Sequence, residues 1–100
     1  MADVRLSEEA DADLEEILYF GAVRFGRVQA HNSLQELKAA FNRIADAPLA
    51  YQAVDELRPG YRRAVYQSHA IYYRVEADGV LIVRVLGQQD TANALSDTSG

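Results

Sequence analysis

The sequence predicts an α+β fold in the order β-α-α-β-β-β: a helical hairpin on one face of a small antiparallel sheet, followed by a short C-terminal helical turn. Three observations carry this expectation. Apolar residues recur at helical spacing through two consecutive segments of the first half. A single glycine, Gly26, separates them, so the two helices must double back on one another. The second half alternates β-branched and aromatic residues with polar ones, and it contains Asp78-Gly79, the strongest short hairpin signal. One hundred residues make a single domain spanning 1–100. A chain of this size buries one modest core.

Residues 3–6 read as a short strand. Ser7 is placed to cap the first helix, with Glu8, Glu9 and Asp11 in its first turn, where the helix dipole favours anions. Leu14, Ile17, Leu18, Gly21 and Phe25 follow at helical spacing, and Gly26 stands where a left-handed C-cap belongs. In the second helix Ala30, Leu34, Leu37, Phe41 and Ile44 form one stripe, which Asp46, Ala47 and Pro48 end. Residues 49–59 read as a loop, and residues 61–66, 70–76 and 80–86 as three strands. The last strand is the most apolar and belongs in the middle of the sheet. Strict alternation points Ile71, Tyr73, Val75, Leu81, Val83 and Val85 at the helices, and Tyr72, Arg74, Ile82 and Arg84 away from them. In residues 61–66 both faces carry an arginine, so that strand stays unassigned. Asp90 can cap one helical turn through Leu95, and residues 96–100 are expected to fray. The tail offers only Ala92, Ala94 and Leu95 as apolar contacts, so it is expected to add little to the core.

Charge is divided unevenly. The chain carries −5 overall, yet residues 57–88 hold five arginines and two acids, a local excess of +3. A basic, aromatic sheet beside an acidic helical half fits a surface for an acidic partner. The net charge argues against broad nucleic-acid binding, which needs clustered Lys and Arg. Without cysteine there is no disulfide framework and no thiolate chemistry. No apolar run approaches the roughly 18 residues of a membrane span. The N-terminal stretch lacks the apolar region of a secretory signal, so the expected location is the cytoplasm.

Four stretches together resemble one family: LSEEADADLEEI at the start of the first helix, DELRPGYRR at residues 55–63, the run from His69 to Val75, and GVLIVRVL ending at Leu86. With their order they resemble ParE-type toxins of the RelE/ParE superfamily, found in plasmid-stabilisation and chromosomal toxin–antitoxin systems. The resemblance implies the fold derived above. It also implies an antitoxin whose C-terminal segment folds onto the toxin's sheet and helices, and DNA gyrase as a target trapped in a DNA-cleaved state. Two features depart from the family pattern: Gly87 stands where members often carry histidine, and Gln88, Gln89 and Asp90 replace a methionine-containing turn. These departures leave room for a degenerate, non-toxic homologue that only binds an antitoxin.

The same superfamily contains ribosome-dependent mRNA endonucleases. Cleavage by a 2′-hydroxyl requires a proton acceptor, a proton donor and cations around the phosphate. Arg62, Arg63, Arg74 and Arg84 could supply charge, but His31 and His69 do not stand at the end of the last strand, and the one lysine, Lys38, is on a helix. No catalytic residue, metal site or cofactor is expected. The expected antitoxin site is Tyr72, Arg74, Ile82 and Arg84, since tyrosine and arginine are common interface anchors. Arg58, Arg62, Arg63 and His69 are candidate contacts for the antitoxin or the target. The run Glu8, Glu9, Asp11, Asp13, Glu15 and Glu16 reads as a solvated helix face.

Overall fold

The computed structural model describes residues 2–87. Strand β1 (Asp3–Leu6) leads into helices α1 (Glu8–Phe25) and α2 (Arg27–Asp46). A 3-10 turn (Pro48–Ala50) and the two-residue strand β2 (Gln52–Ala53) precede β3 (Tyr61–Tyr66), β4 (His69–Glu76) and β5 (Gly79–Gly87). The fold class is the expected α+β hairpin-on-sheet arrangement, with two refinements. Residues 49–59 are not wholly loop, because β2 pairs there with Arg62 and Arg63. The sheet is also mixed: in the order β1-β5-β4-β3-β2, β1 runs parallel to β5 and the other pairs are antiparallel. The expected turn at 90–95 and the frayed end at 96–100 lie outside the described residues.

Ser7 caps α1 as its position predicts. Its Oγ accepts from the Ala10 N–H at 3.0 Å and donates to the Val83 carbonyl at 2.7 Å. Such a cap contributes about 1 kcal/mol. Gly26 ends α1 and begins α2 with φ of 94° and ψ of 158°, so its backbone is not the expected left-handed helical cap. The positive φ still favours glycine. The helices approach closely at Gly21, where an added Cβ would lie 3.3 Å from the Ala30 Cβ. All five stripe residues of α2 are buried, and Ile44, Ile71, Tyr73, Val80, Ile82 and Val85 are among the most enclosed side chains.

The α1 stripe is buried only in its first half. Leu14 is buried and Ile17 and Leu18 pack against the core, but Phe25 is exposed. Contacts from Ser7 to Val83 and from Asp13 to Val85 show that α1 advances in the direction of β5. Beyond Asp13 the helix continues for about 18 Å at 1.5 Å per residue. Beyond Val85 the strand offers only about 7 Å. The end of the hairpin therefore overhangs the sheet.

The register between β4 and β5 slips between Tyr72 and Tyr73: Tyr72 opposes Arg84 while Tyr73 opposes Ile82. Val83 is thus an extra residue, a β-bulge, and it inverts the faces of β5 on its N-terminal side. Val80, Ile82 and Val85 enter the helix-side core, while Leu81 and Val83 are only half-buried. The expected inward positions of Leu81 and Val83 and the outward position of Ile82 are corrected accordingly. Ile71, Tyr73 and Val85 face the helices as expected. Val75 opposes Val80 but is exposed near the end of its strand.

On the opposite face a second, smaller cluster joins Val54, Ala70 and Tyr72, flanked by Tyr61 and Leu86. Among the described residues, the buried Tyr72 hydroxyl has no hydrogen-bond partner. Leaving such a group unsatisfied costs about 1–3 kcal/mol. Tyr72→Phe is therefore expected to leave the denaturant midpoint unchanged or to raise it. A clear drop in stability would show that the hydroxyl is bonded in solution.

The Tyr73 hydroxyl, on the helix side, donates to the Pro48 carbonyl. Burial pushes its ionisation up from 10 to about 12, partly opposed by the Arg62 guanidinium. The neutral phenol is thus favoured by folding, and that stability is fully present below pH 10 and lost as pH rises toward about 12. The expected result is an alkaline fall in stability over that interval, reduced in Tyr73→Phe when both proteins are unfolded by denaturant across the range.

Candidate functional site

The four residues expected to form one outward patch do not do so. Ile82 is fully buried against the helices, a consequence of the Val83 bulge. Tyr72 does face away from the helices, but it is covered within the Val54 cluster. Arg74 is exposed and lies 3.5 Å from Glu76, which also pairs with Arg5. The Arg5 hydrogen bond holds the Glu76 carboxyl below its usual value. Arg84 is turned to α1, where its Nε and Nη2 donate to Asp13 at 2.8 and 3.0 Å. That hydrogen bond holds the guanidinium pKa above its usual value.

The remaining candidates separate by strand face. Arg62 opposes Tyr73 on the helix side and donates to the Tyr51 carbonyl at 2.6 Å. Arg63 opposes Tyr72 on the outer side and donates to the Gln52 side-chain carbonyl at 3.1 Å. The ambiguity of that strand is resolved, since each arginine is engaged in holding the β2 connection. Arg58 is exposed at the tip of the loop before β3. His69 begins β4, half-buried, opposite Tyr66 and Gly87. His31 is exposed on α2.

Among the described residues, half of the exposed large apolar side chains lie between residues 19 and 28, on the hairpin overhang. Tyr19, Phe20, Val23, Phe25 and Val28 are 58–77% exposed. Tyr19 and Phe20 meet edge to face, with centroids 5.2 Å apart. Exposed apolar side chains gathered on one segment are a candidate surface for a partner. The sequence held a signal for it. The run ILYFGAVRF, residues 17–25, has apolar residues on more sides than one stripe can bury.

Comparison with known proteins identifies the family. A family model described as "ParE toxin of type II toxin-antitoxin system, parDE" matches residues 4–92. The chain belongs to the ParE toxin family. It is 45% identical over 85 residues to Toxin ParE1 of Mycobacterium tuberculosis strain H37Rv, covering 84% of this chain and 87% of that protein. It is 42% identical over 94 residues to Toxin ParE1 of Caulobacter vibrioides, covering 94% of this chain and 97% of that one. Among solved structures, a chain described as "Chromosomal ParDE TA system from P. aeruginosa" shares the fold with a TM-score of 0.75 at 19% identity, covering 87% of this chain and 96% of that one. Among the described residues, no helix of this ParE protein is long and apolar enough to cross a membrane.

Asp13 differs from its acidic neighbours on α1. Its carboxylate takes two bonds from Arg84 and a third from the Val85 N–H at 2.9 Å. It thereby covers the edge of β5 where β1 has ended. The Arg84 side chain is 44% exposed, so solvent screens that pair, whereas Asp13 is 11% exposed. Asp13→Ala should cost about 1.5–3 kcal/mol, mainly by leaving the Val85 N–H unsatisfied. Arg84→Ala should cost less, within the 0–1 kcal/mol of a solvated pair. Chemical denaturation of both variants tests the order, and equal losses would contradict it.

Proposed function

We propose that this protein is the toxin of a two-protein system: it inhibits DNA gyrase by binding, without catalysing a reaction, and a cognate antitoxin neutralises it. Membership of the ParE family supports the toxin role. The observation that carries the antitoxin reading is the apolar overhang of the hairpin, since a partner helix laid across it would remove that surface from water. Arg74 on the outer sheet face remains a candidate antitoxin contact, whereas Tyr72 is covered by the Val54 cluster. Ile82 and Arg84 act through the core and through Asp13 instead. Gyrase is favoured over the ribosome because cleavage of RNA needs a proton shuttle, and Gly87 occupies the end of β5.

Two purified assays run side by side test the function. One follows supercoiling and cleaved-DNA accumulation by gyrase, the other mRNA cutting on ribosomes. The expected result is accumulation of cleaved DNA, reversed by antitoxin, with mRNA intact. Codon-dependent cleavage with no effect on gyrase would overturn the reading. For the antitoxin surface, Phe20→Glu with Val23→Glu should weaken antitoxin binding by at least about 30-fold, the loss expected for an interface anchor of 2 kcal/mol or more. Both side chains are solvent-facing, so the circular dichroism spectrum should stay native.

A further inference from the structure

Residues 54–60 form a loop that the fold holds firmly at its base and leaves unused at its tip. Val54 is buried, and its N–H donates to the Tyr61 carbonyl at 2.8 Å. The Leu57 and Arg58 N–H groups donate to the Val54 carbonyl, and the Tyr61 N–H donates to the Arg58 carbonyl. The Asp55 carboxylate accepts from the Gly60 N–H at 2.7 Å, with Gly60 at φ of 83°. Every one of these contacts fixes backbone. The side chains they present do something different. Glu56, Leu57 and Arg58 are exposed, and the Arg58 guanidinium has no hydrogen bond or ion pair among the described residues.

A second observation points the same way. The loop is anchored by burying Val54 beside Tyr72, whose hydroxyl is left without a partner among the described residues. The structure thus tolerates an unsatisfied buried group under a loop whose tip side chains Glu56, Leu57 and Arg58 are exposed. Local departures of this kind concentrate where function requires them.

The loop lies at the opposite pole from the hairpin overhang. It joins β3 at Tyr61, which opposes Arg74 near the end of β4. Ala45 and Pro48, at the end of α2, line one hollow with Val75 and Asp78 and mark the same pole. The overhang extends past the other end of the sheet, beyond Val85.

We infer that this loop is a rigid contact for a protein partner other than the antitoxin, with Leu57 as an apolar centre and Arg58 pairing a carboxylate of that partner. The inference rests on the toxin reading above and names the target's point of attachment. Asp55 and Glu56 beside Arg58 would repel a phosphate backbone, so a protein surface of mixed charge fits the tip better than nucleic acid. The ordered backbone lowers the entropy lost on binding.

The test compares wild type, Arg58→Glu and Leu57→Ala in three measurements: growth inhibition on induction, affinity for the cognate antitoxin, and anisotropy of a labelled DNA duplex. Thermal melts confirm that each variant is folded. Wild type should arrest growth. Arg58→Glu should need at least about tenfold more protein for the same arrest, the loss expected on breaking a charge pair at an interface, and Leu57→Ala should shift in the same direction. Antitoxin affinity should stay within about twofold of wild type for both, and the duplex should not bind. If wild type arrests growth and folded Arg58→Glu arrests it equally, the loop assignment is wrong while the toxin reading stands. Loss of antitoxin affinity in Arg58→Glu would assign the loop to the antitoxin, and Arg58-dependent duplex binding would assign it to nucleic acid; either overturns the inference. A wild type without effect on growth overturns the toxin reading and this inference with it.

Discussion

The architecture depends on how β5 is held along both of its edges. On one side it pairs with β4 along its length, with one extra residue at Val83. On the other it pairs with β1 only as far as Ile82. The exposed remainder of that edge is then covered by α1, through the Ser7 hydroxyl on the Val83 carbonyl and the Asp13 carboxylate on the Val85 N–H. An uncovered edge would be a template for aggregation. Here the covering also fixes where α1 starts and which way it runs. The bulge and the helix anchor occupy the same three residues, 83–85, so the sheet's irregularity and the helix's direction are set together. The overhang follows, because α1 begins well along β5 and is far longer than the strand that remains.

Much of this was legible in the sequence because it depends on local chemistry. The Ser7 cap, the Gly26 break, the α2 stripe and the Asp78-Gly79 turn each act within a few residues, and each stands where the pattern put it. The faces of β5 were not legible. Alternation gives a face only if the register is continuous, and nothing in VLIVRVL marks Val83 as the extra residue. One slip was enough to move Ile82 from the expected surface into the core and to give Leu81 the outer position. The role of Asp13 was hidden for a similar reason. It sits in an acidic run whose other members are exposed on α1, and its partners are more than 70 residues away. The same holds for β2, which is only two residues long and exists through its pairing with Arg62 and Arg63.

The candidate site changed more than the fold did. Arginines that look free in sequence are mostly engaged: Arg62 with a carbonyl, Arg63 with Gln52, Arg84 with Asp13, and Arg5 and Arg74 with one glutamate. The basic excess of the sheet half is therefore largely spent inside the molecule. The apolar residues of α1 show the reverse. Phe25 reads as part of the core stripe in sequence, and the geometry of the hairpin leaves it in solvent together with Tyr19, Phe20 and Val23. A small domain has little stability to spare, and exposed aromatic side chains add nothing to it. Such exposure in a long helix fits the proposed partner surface.

The two poles then suggest how a toxin of this shape could be both poisonous and controllable. An antitoxin on the hairpin would occupy the end of the molecule beyond Val85, while the loop at residues 54–60 lies beside the start of β3. Direct competition for one patch would tie affinity for antitoxin and for target to the same residues, so any change that strengthened one would disturb the other. Separate surfaces remove that coupling. Neutralisation would then act through the bulk of the antitoxin, or through segments of it reaching along the sheet past Tyr72 and Arg74, and not through replacement of the target's contacts. If the two surfaces are separate in this way, changes at Leu57 or Arg58 would tune the loop to a target without disturbing an antitoxin bound on the hairpin.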